Sequence, residues 1–508
     1  MSRVGLARTA AHYRGLEPPF DPGVAWPELG RLARTPSPGR PANHVYAAVR
    51  AALAALGLDA TRFGTAEWNP LAELVPPGGR VVLKPNFIRH WNPCPEGTLE
   101  SVITHGSVLR AMVDYALLAV GPEGSVAIAE APQMDCDFAR IRALAGLDAI
   151  AERVAVPGLP PLEIIDLRRE EVTFEHGVVV ERRPLPGDPA GYRVVDLGPR
   201  SAFEGSGLDP ARFRGADYDP AVTTAHHTGG RHEYLLSETV LRSDLLVNLP
   251  KLKTHKKTGV TLALKNLVGI NGDKNWLPHH CVGPPAAGGD EFPEARLLDA
   301  ARSRATEVAR RFLRRGLGRR LFGTARRVEW ALRGDDFVRS GNWHGNRTTW
   351  RMCLDLNRAL YYSDAEGFHP EAPGPVHRVL TVLDGVVGGE GAGPLAPRDA
   401  PAGVVLAALD PVALDLVAVR LMGFDWERIP KVREALRAGV LPLGELRAPE
   451  EVVVRELGPG EEAIREQPLA ALEPLRPFEP HPGWRGVLEA RPPGRCPPAG
   501  SGLEVRPA

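Results

Sequence analysis

One stretch, residues 244–280, constrains the fold more than any other part of this 508-residue sequence. It opens with the apolar run Leu245–Leu249, which is too short for a helix and suits a buried strand ended by Pro250. A lysine-rich polar loop is predicted next, and after Gly259 apolar residues recur at helical spacing as far as Gly269. A strand that delivers cations and amides to a helix start is typical of anion sites in α/β proteins.

Strand and helix signals alternate along most of the chain. Short apolar runs predict strands at residues 80–83, 125–129, 378–383 and 403–408, and polar residues follow each run directly. We therefore predict an α/β fold with mixed, mostly parallel sheets flanked by helices, in which the functional face lies at the carboxyl ends of the strands. An inserted basic helical segment interrupts this pattern.

Changes in composition divide the sequence into five segments. We predict an irregular N-terminal arm (1–40), a first part of the α/β core (41–293) and an Arg-rich helical insertion (294–345). A second part of the core (346–458) and a Pro-rich, mostly irregular tail (459–508) complete the chain.

Charge and cysteine usage exclude several classes of protein. Lys+Arg and Asp+Glu both number 62, so no net charge favours nucleic acid or a membrane surface. The five cysteines form no C-x-x-C pair, which indicates a reduced compartment rather than a disulfide framework. No signal-peptide pattern or transmembrane run is present. We predict a cytoplasmic protein with no transmembrane segment and no specific nucleic-acid partner.

The 244–280 stretch contains the motifs Asn248-Leu-Pro-Lys251-Leu-Lys253-Thr254-His255, Gly259-Val-Thr and Leu264-Lys265-Asn266-Leu267. These motifs resemble those of the DUF362 family, a family of domains of unknown function. Further matching motifs occur in the family's order over residues 80–430: Lys84 to Asn86, Thr104-His105, Asp384-Gly385, Glu390-Gly391 and Asp410-Pro411 with Asp415. Some relatives carry a ferredoxin-like cysteine cluster. This chain lacks that spacing, so no ferredoxin-type iron–sulfur cluster is expected. The resemblance implies a family and no particular activity.

We predict a pocket, rich in cations and hydrogen-bond donors, that binds a small anion. Its ligand-binding candidates are Lys84, Asn86, His105, Asn248, Lys251, Lys253, Thr254, Lys265 and Asn266. Ammonium groups and side-chain amides suit carboxylate and phosphate oxygens. His255 is the candidate proton carrier because it lies within the motif. Lys256 and Lys257 are expected to be solvated loop residues.

Four carboxylates near two predicted strand ends form a second candidate set, Asp384, Glu390, Asp410 and Asp415, of which the first three are the candidate metal ligands. Oxygen ligands of this kind suit a divalent metal, the one cofactor considered, and Asp384 or Glu390 could instead act as a catalytic base beside His255. In the competing interpretation Asp410 caps a helix, Asp384 belongs to a turn and Asp415 faces solvent.

The glycines of residues 385–394 are not expected to bind a dinucleotide, because no G-x-G-x-x-G spacing fits and a proline stands where a helix should begin. We interpret this run as a flexible loop that closes over a site.

Two functional hypotheses follow. The first is a cytoplasmic enzyme acting on an anionic small molecule, a carboxylate or phosphate, with the reaction class left open. The alternative is a non-catalytic cofactor- or metal-binding maturation protein. Such a protein would dock a protein partner through the basic segment between Arg302 and Arg327.

Overall fold

Strands and helices alternate along the chain in the computed structural model, which describes residues 1–32, 41–175, 178–215, 219–294, 340–437, 439–458 and 463–489. The strands are β1 (Ser2–Arg8), β2 (Arg80–Pro85), β3 (Ser125–Glu130), β4 (Leu162–Asp166), β5 (Glu170–Glu175), β6 (Val178–Pro184), β7 (Tyr192–Asp196), β8 (Phe213–Arg214), β9 (Glu233–Ser237), β10 (Leu245–Leu249), β11 (Lys251–His255), β12 (Gly259–Val260), β13 (His280–Cys281), β14 (Val379–Ala392), β15 (Ala396–Ala408), β16 (Val452–Glu456) and β17 (Arg465–Pro468). The α-helices are α1 (His44–Leu56), α2 (Gly106–Val120), α3 (Phe138–Leu144), α4 (Leu147–Val154), α5 (Pro220–Ala225), α6 (Glu238–Leu241), α7 (Leu262–Asn266), α8 (Thr349–Tyr361), α9 (Pro411–Leu421) and α10 (Pro430–Leu436).

A mixed, mostly parallel sheet of 11 strands forms the centre of the fold. Its strand order is β17-β16-β1-β15-β14-β10-β2-β3-β4. In addition, β11 pairs with β14, and β12 pairs with β11. Strands β14, β10, β2, β3 and β4 run parallel, so their carboxyl ends share one edge of the sheet. The predicted α/β class is confirmed.

Helices cover both faces of the sheet. Alternate residues of a strand point to opposite faces, so Leu245 and Val247 of β10 pack in one core with α1 and α2. Leu246, between them, packs in the other core with α8 and α9. All three side chains are fully buried. A strand buried on both faces reads as a continuous apolar run, which explains why β10 was recognisable in the sequence.

The prediction of an irregular arm over residues 1–40 is wrong for its first residues. Ser2–Arg8 forms β1, which pairs antiparallel with β15 and parallel with β16. Val4 and Leu6 are fully buried in the core. A single strand of this length between Arg- and Pro-rich residues gives a weak local signal, and only its pairing partners define it. Residues 33–40 lie outside the described part of the chain.

The predicted lysine-rich loop is also wrong. Lys251–His255 forms β11, a buried strand that runs parallel to β14. The helix expected to reach Gly269 ends as an α-helix at Asn266 and continues as a 3₁₀ turn, Leu267–Ile270.

The glycine run is a strand and not a flexible loop. Residues 385–392 form the second half of β14, residues 393–394 begin the turn to β15, and the glycines allow β11 to approach closely. A Cβ atom at Gly388 would lie 2.9 Å from the carbonyl oxygen of Leu252, and one at Gly393 only 2.3 Å from that of Thr254. Glycine was therefore a packing signal in this segment.

The Arg-rich insertion lies mostly outside the described residues, which resume at Ser340, so its helical character and docking role stay predictions. Of the tail, the structure describes residues 463–489, which are irregular apart from β17 and short 3₁₀ turns, and Trp484 and Leu488 are buried against the core. Within the described ranges no helix combines the length and apolar character needed to cross a bilayer.

Candidate functional site

The carboxyl ends of three adjacent parallel strands form the centre of the candidate site. β2 ends at Pro85, β3 at Glu130 and β10 at Leu249. In the pairing of β10 with β2, Asn248 lies opposite Lys84. The structure brings together six predicted ligand-binding residues at this edge: Lys84, Asn86, Asn248, Lys253, Lys265 and Asn266.

Lys84 and Glu130 form a buried ion pair, with 2.5 Å between Nζ and Oε2 and side chains 1% and 4% exposed. Burial lowers the pKa of Lys84 and raises the pKa of Glu130, and the attraction between them opposes both shifts. Sequence reasoning missed Glu130 as a site residue. The available signal was its position at the end of β3, which matches the position of Lys84 at the end of β2.

Three asparagine amides connect this pair to the neighbouring strands. Asn266 Oδ1 accepts hydrogen bonds from Asn86 Nδ2 at 2.7 Å and from Lys84 Nζ at 3.2 Å. Asn266 Nδ2 donates to Asn248 Oδ1 at 2.8 Å, and Asn248 Nδ2 donates to the carbonyl oxygen of Ala263 at 3.2 Å. The amide nitrogen and the amide oxygen of each asparagine both form hydrogen bonds. The three side chains therefore hold one another in position.

Lys253 extends the network from β11. Its Nζ donates to Asn86 Oδ1 at 2.6 Å and to the carbonyl oxygen of Val102 at 2.5 Å. Burial lowers the pKa of Lys253 well below the usual lysine range, and the positive charges of Lys251 and Lys265 lower it further. Neutral amide oxygens thus hold this ammonium group in a strongly cationic environment.

Lys265 is the cation whose ammonium group makes no hydrogen bond or ion pair with any residue that the structure describes. Its side chain is only 9% exposed. Burial lowers the pKa of Lys265. After burial itself, the charge of Lys265 helps to lower the pKa of Lys84, Lys253 and His255, so it lies among all three. An unpaired buried ammonium group at the centre of the cluster is suited to contact an anion.

Two histidine rings lie near Lys265. His255 Nδ1 accepts a hydrogen bond from the backbone nitrogen of Lys257 at 3.1 Å, and His279 Nδ1 lies 2.9 Å from the carbonyl oxygen of Leu277. Burial lowers the pKa of both rings well below the usual range, and the charge of Lys265 adds to the shift in each. Sequence reasoning selected His255 and passed over His279, which follows a proline and carries no motif.

A second buried network surrounds Asp384. Lys251 Nζ lies 2.8 Å from Asp384 Oδ2 and donates to the Tyr13 hydroxyl at 2.8 Å, and that hydroxyl donates to Asp384 Oδ1. The His105 backbone nitrogen also donates to Asp384 at 2.9 Å, and its ring stacks on Tyr13 with 3.8 Å between ring centroids. Asp384 therefore lies in a strand and an ion pair, not in a turn. Tyr13, from the predicted irregular arm, was missed.

The three predicted metal-binding carboxylates are spread along the β14–β15 hairpin. Asp384 and Glu390 are six positions apart on β14, roughly 20 Å at the usual rise of a strand. Glu390 lies 3.1 Å from Arg476, whereas Asp410 caps α9 by accepting from the backbone nitrogen of Val412 at 2.8 Å. In the described ranges no group of three or more His, Cys, Asp or Glu side chains could hold a metal ion. The helix-cap interpretation of Asp410 matches the structure.

Asp415 does not face solvent. It is fully buried, pairs with Lys431 at 2.6 Å and accepts from the backbone nitrogen of Ala263 at 2.7 Å. The carboxylate of Asp415 therefore already accepts hydrogen bonds from the first backbone nitrogens of α7. This is the helix start at which the sequence predicted a bound anion.

The remaining predicted residues of β11 have structural contacts. Thr254 Oγ1 donates to the carbonyl oxygen of Gly391 at 3.1 Å, which joins β11 to the glycine run. Lys257 is buried, with 4% of its surface exposed, and donates to the carbonyl oxygen of Ser340. The expectation of a solvated side chain is wrong for Lys257, because the chain around Ser340 covers it.

Lysine usage supplies a further signal that sequence reasoning missed. Of the 62 Lys and Arg residues, only eight are lysines, and six of these fall within residues 251–274. All eight except Lys256 are buried. The chain uses arginine for its surface charge and keeps lysine for the interior, where a compact ammonium group with an adjustable pKa suits a site.

These features define an α/β protein with a buried, lysine-rich cluster at the carboxyl edge of its parallel strands. The family model described as "Domain of unknown function (DUF362)" matches residues 186–420, so the chain carries the DUF362 domain that its motifs predicted. The match includes β11, α7 and Asp384, whereas Lys84, Asn86 and Glu130 precede it. Comparisons with curated proteins and with solved structures found no match.

Proposed function

We propose that the carboxyl edge of strands β2, β3 and β10 binds a small anionic molecule, a carboxylate or phosphate, through direct contact with Lys265. The observation that supports this most strongly is the Lys265 ammonium group, 9% exposed and without a hydrogen-bond or ion-pair partner in the described part of the chain. A buried ammonium group costs free energy unless a negative charge or acceptor compensates it, and a bound anion supplies both.

The balance of buried charge supports the same conclusion. Glu130 interacts electrostatically with four lysines: Lys84, Lys253, Lys265 and Lys274. Among the described residues, it forms an ion pair only with Lys84. One carboxylate cannot neutralise four ammonium groups. Burial lowers the pKa of Lys274 to about 7, so part of this excess is relieved by loss of protons. A bound anion would relieve it while the lysines stay charged.

The predicted residues take different roles in this proposal. Lys84, Asn86, Asn248 and Asn266 use their polar atoms on one another and position the edge of the site. Within the described ranges, neither Lys265 Nζ nor His255 Nε2 has a partner, so these two groups contact the ligand. A histidine beside a bound anion is what acid–base chemistry requires, and we extend the proposal to a substrate rather than a structural ion.

The test measures binding of inorganic phosphate and acetate by isothermal titration to the wild type and to Lys265→Met. We expect the substitution, which keeps most of the side-chain volume, to weaken binding of either probe by about 10- to 100-fold, as loss of a charge-assisted hydrogen bond does. The matched control is Arg62→Met, which removes a positive charge from an exposed surface ion pair with Asp59.

Urea unfolding of each variant establishes that it is folded. Equal affinity of wild type and folded Lys265→Met for both anions would refute the proposal, as would a similar loss in Arg62→Met. The second result would show that the probes respond to net charge and not to this site.

A further inference from the structure

The two histidines beside Lys265 are held as opposite tautomers. A backbone nitrogen donates to His255 Nδ1, so the neutral ring of His255 carries its proton on Nε2. His279 Nδ1 faces the carbonyl oxygen of Leu277, which only accepts, so the proton of His279 is on Nδ1 and its Nε2 has a free lone pair. One ring therefore presents a donor and the other an acceptor.

Neither Nε2 atom has a hydrogen-bond partner within the described ranges. The rings are close enough for the charge state of His279 to affect His255, and Lys265 interacts with both. Lys265 and His255 thus offer two donors in the neighbourhood of His279, which offers one acceptor. An anion by itself would use only the donors.

We propose that the ligand is a small anion that also carries a hydroxyl group, and that His279 Nε2 accepts the hydrogen bond of that hydroxyl. Lys265 and His255 Nε2–H would hold the anionic oxygens. This inference rests on the anion-binding function proposed above and specifies its substrate class: a hydroxy acid, or a phosphate ester with a neighbouring hydroxyl. It makes His279 a specificity-determining residue.

The backbone of His279 is held in place from both sides. Its nitrogen donates to the carbonyl oxygen of Arg214 at 2.7 Å, and its carbonyl oxygen accepts from Asn346 Nδ2 at 3.0 Å and from Thr349 Oγ1 at 2.7 Å. The residue is nevertheless partly exposed, in contrast to the buried His255. A ring held by its own hydrogen bond, with an acceptor that has no partner in the described ranges, discriminates between hydrogen-bonding and apolar groups of the same size.

The experiment compares glycolate with propionate, two carboxylates in which a hydroxyl replaces a methyl group. We expect the wild type to bind glycolate about fivefold to tenfold more tightly in isothermal titration, because propionate leaves the His279 acceptor unpaired. In His279→Phe the preference should disappear while propionate still binds. His279→Gln places an amide oxygen near the former Nε2 position and should restore part of the preference.

The possible outcomes distinguish the role of His279 from anion binding itself. Equal binding of both carboxylates by the wild type, with binding still dependent on Lys265, would overturn the role of His279 and leave anion binding intact. A glycolate preference that persists in His279→Phe would overturn it as well. If neither carboxylate nor inorganic phosphate binds the wild type, the anion-binding function fails and this inference fails with it.

Discussion

At the scale of single residues, Asn266 holds the strand ends together. Its one amide group accepts from Lys84 and Asn86 on the β2 side and donates to Asn248 on β10, all within 3.2 Å. Aspartate cannot donate and lysine cannot accept, so an amide is the group that serves both sides. Asn266 is 2% exposed, which means that water cannot replace these contacts.

Replacement of Asn266 by leucine should therefore lower the free energy of unfolding by about 3 kcal/mol, because it leaves buried donors and an acceptor without partners. Asn266→Asp keeps the oxygen that accepts from Lys84 and Asn86 and should cost clearly less. Urea denaturation of both variants measures the difference. Equal destabilisation by the two substitutions would contradict the assigned role of the acceptor oxygen.

At the scale of elements, the 3₁₀ turn Leu267–Ile270 closes one side of the site because it contains Gly269. A Cβ atom at Gly269 would lie 1.8 Å from Glu130 Oε1 and 2.5 Å from Lys84 Nζ. The backbone of the turn thus lies directly against the ion pair, and the Gly269 carbonyl oxygen accepts from the backbone nitrogen of Ala131 at 2.8 Å. Glycine is needed at this position for its size.

Gly269→Ala should displace the Lys84–Glu130 pair and destabilise the protein by about 1–3 kcal/mol, the usual cost of overpacking a filled interior. Gly374→Ala is the control, since a Cβ there meets no atom within 4 Å. Thermal unfolding of both variants checks the prediction. A Gly269→Ala protein as stable as the control would show that the turn moves freely away from the ion pair.

At the scale of the whole molecule, segments distant in sequence assemble around β11. Tyr13 comes from the N-terminal segment and interacts with Lys251 and Asp384. Trp484, near the end of the described chain, donates from Nε1 to the carbonyl oxygen of Lys256 at 2.8 Å. The site is therefore part of the global fold, and the charge state of its lysines affects the stability of the entire protein.

This coupling predicts a pH dependence. Burial lowers the pKa of Lys253, Lys265 and Lys274, to about 7 for Lys274 against an ordinary value of 10.5. Between pH 7 and pH 10.5 the unfolded chain binds more protons than the folded protein does. The contribution of these lysines to stability therefore rises with pH. A bound anion favours the protonated lysines, and sulfate should therefore raise the melting temperature more at pH 7 than at pH 9.

The measurement uses sodium sulfate against sodium chloride at equal ionic strength, so that general screening cancels. In Lys265→Met the gain from sulfate should be smaller at both pH values. An equal gain at pH 7 and pH 9 in the wild type would contradict the assigned protonation changes.

The sequence by itself determined the α/β class, the DUF362 domain and the central strand β10. A strand buried on both faces is locally apolar along its whole length, so local pattern sufficed. Lys84 and Asn86 were also predictable at this edge, because polar residues at the ends of parallel strands meet there, and Lys253, Lys265 and Asn266 were grouped with them through the motifs of residues 244–280. The assignment of a site to them stays a prediction.

Only the tertiary structure decided which of these side chains have partners. Glu130, Tyr13 and His279 carry no local motif, and Glu130 and Tyr13 also come from segments distant from β11 in the chain. The carboxylates Asp384 and Asp415 resembled metal or surface residues in the sequence, but buried lysines neutralise both. Pairing of charges depends on three-dimensional proximity, which spacing along the chain does not encode.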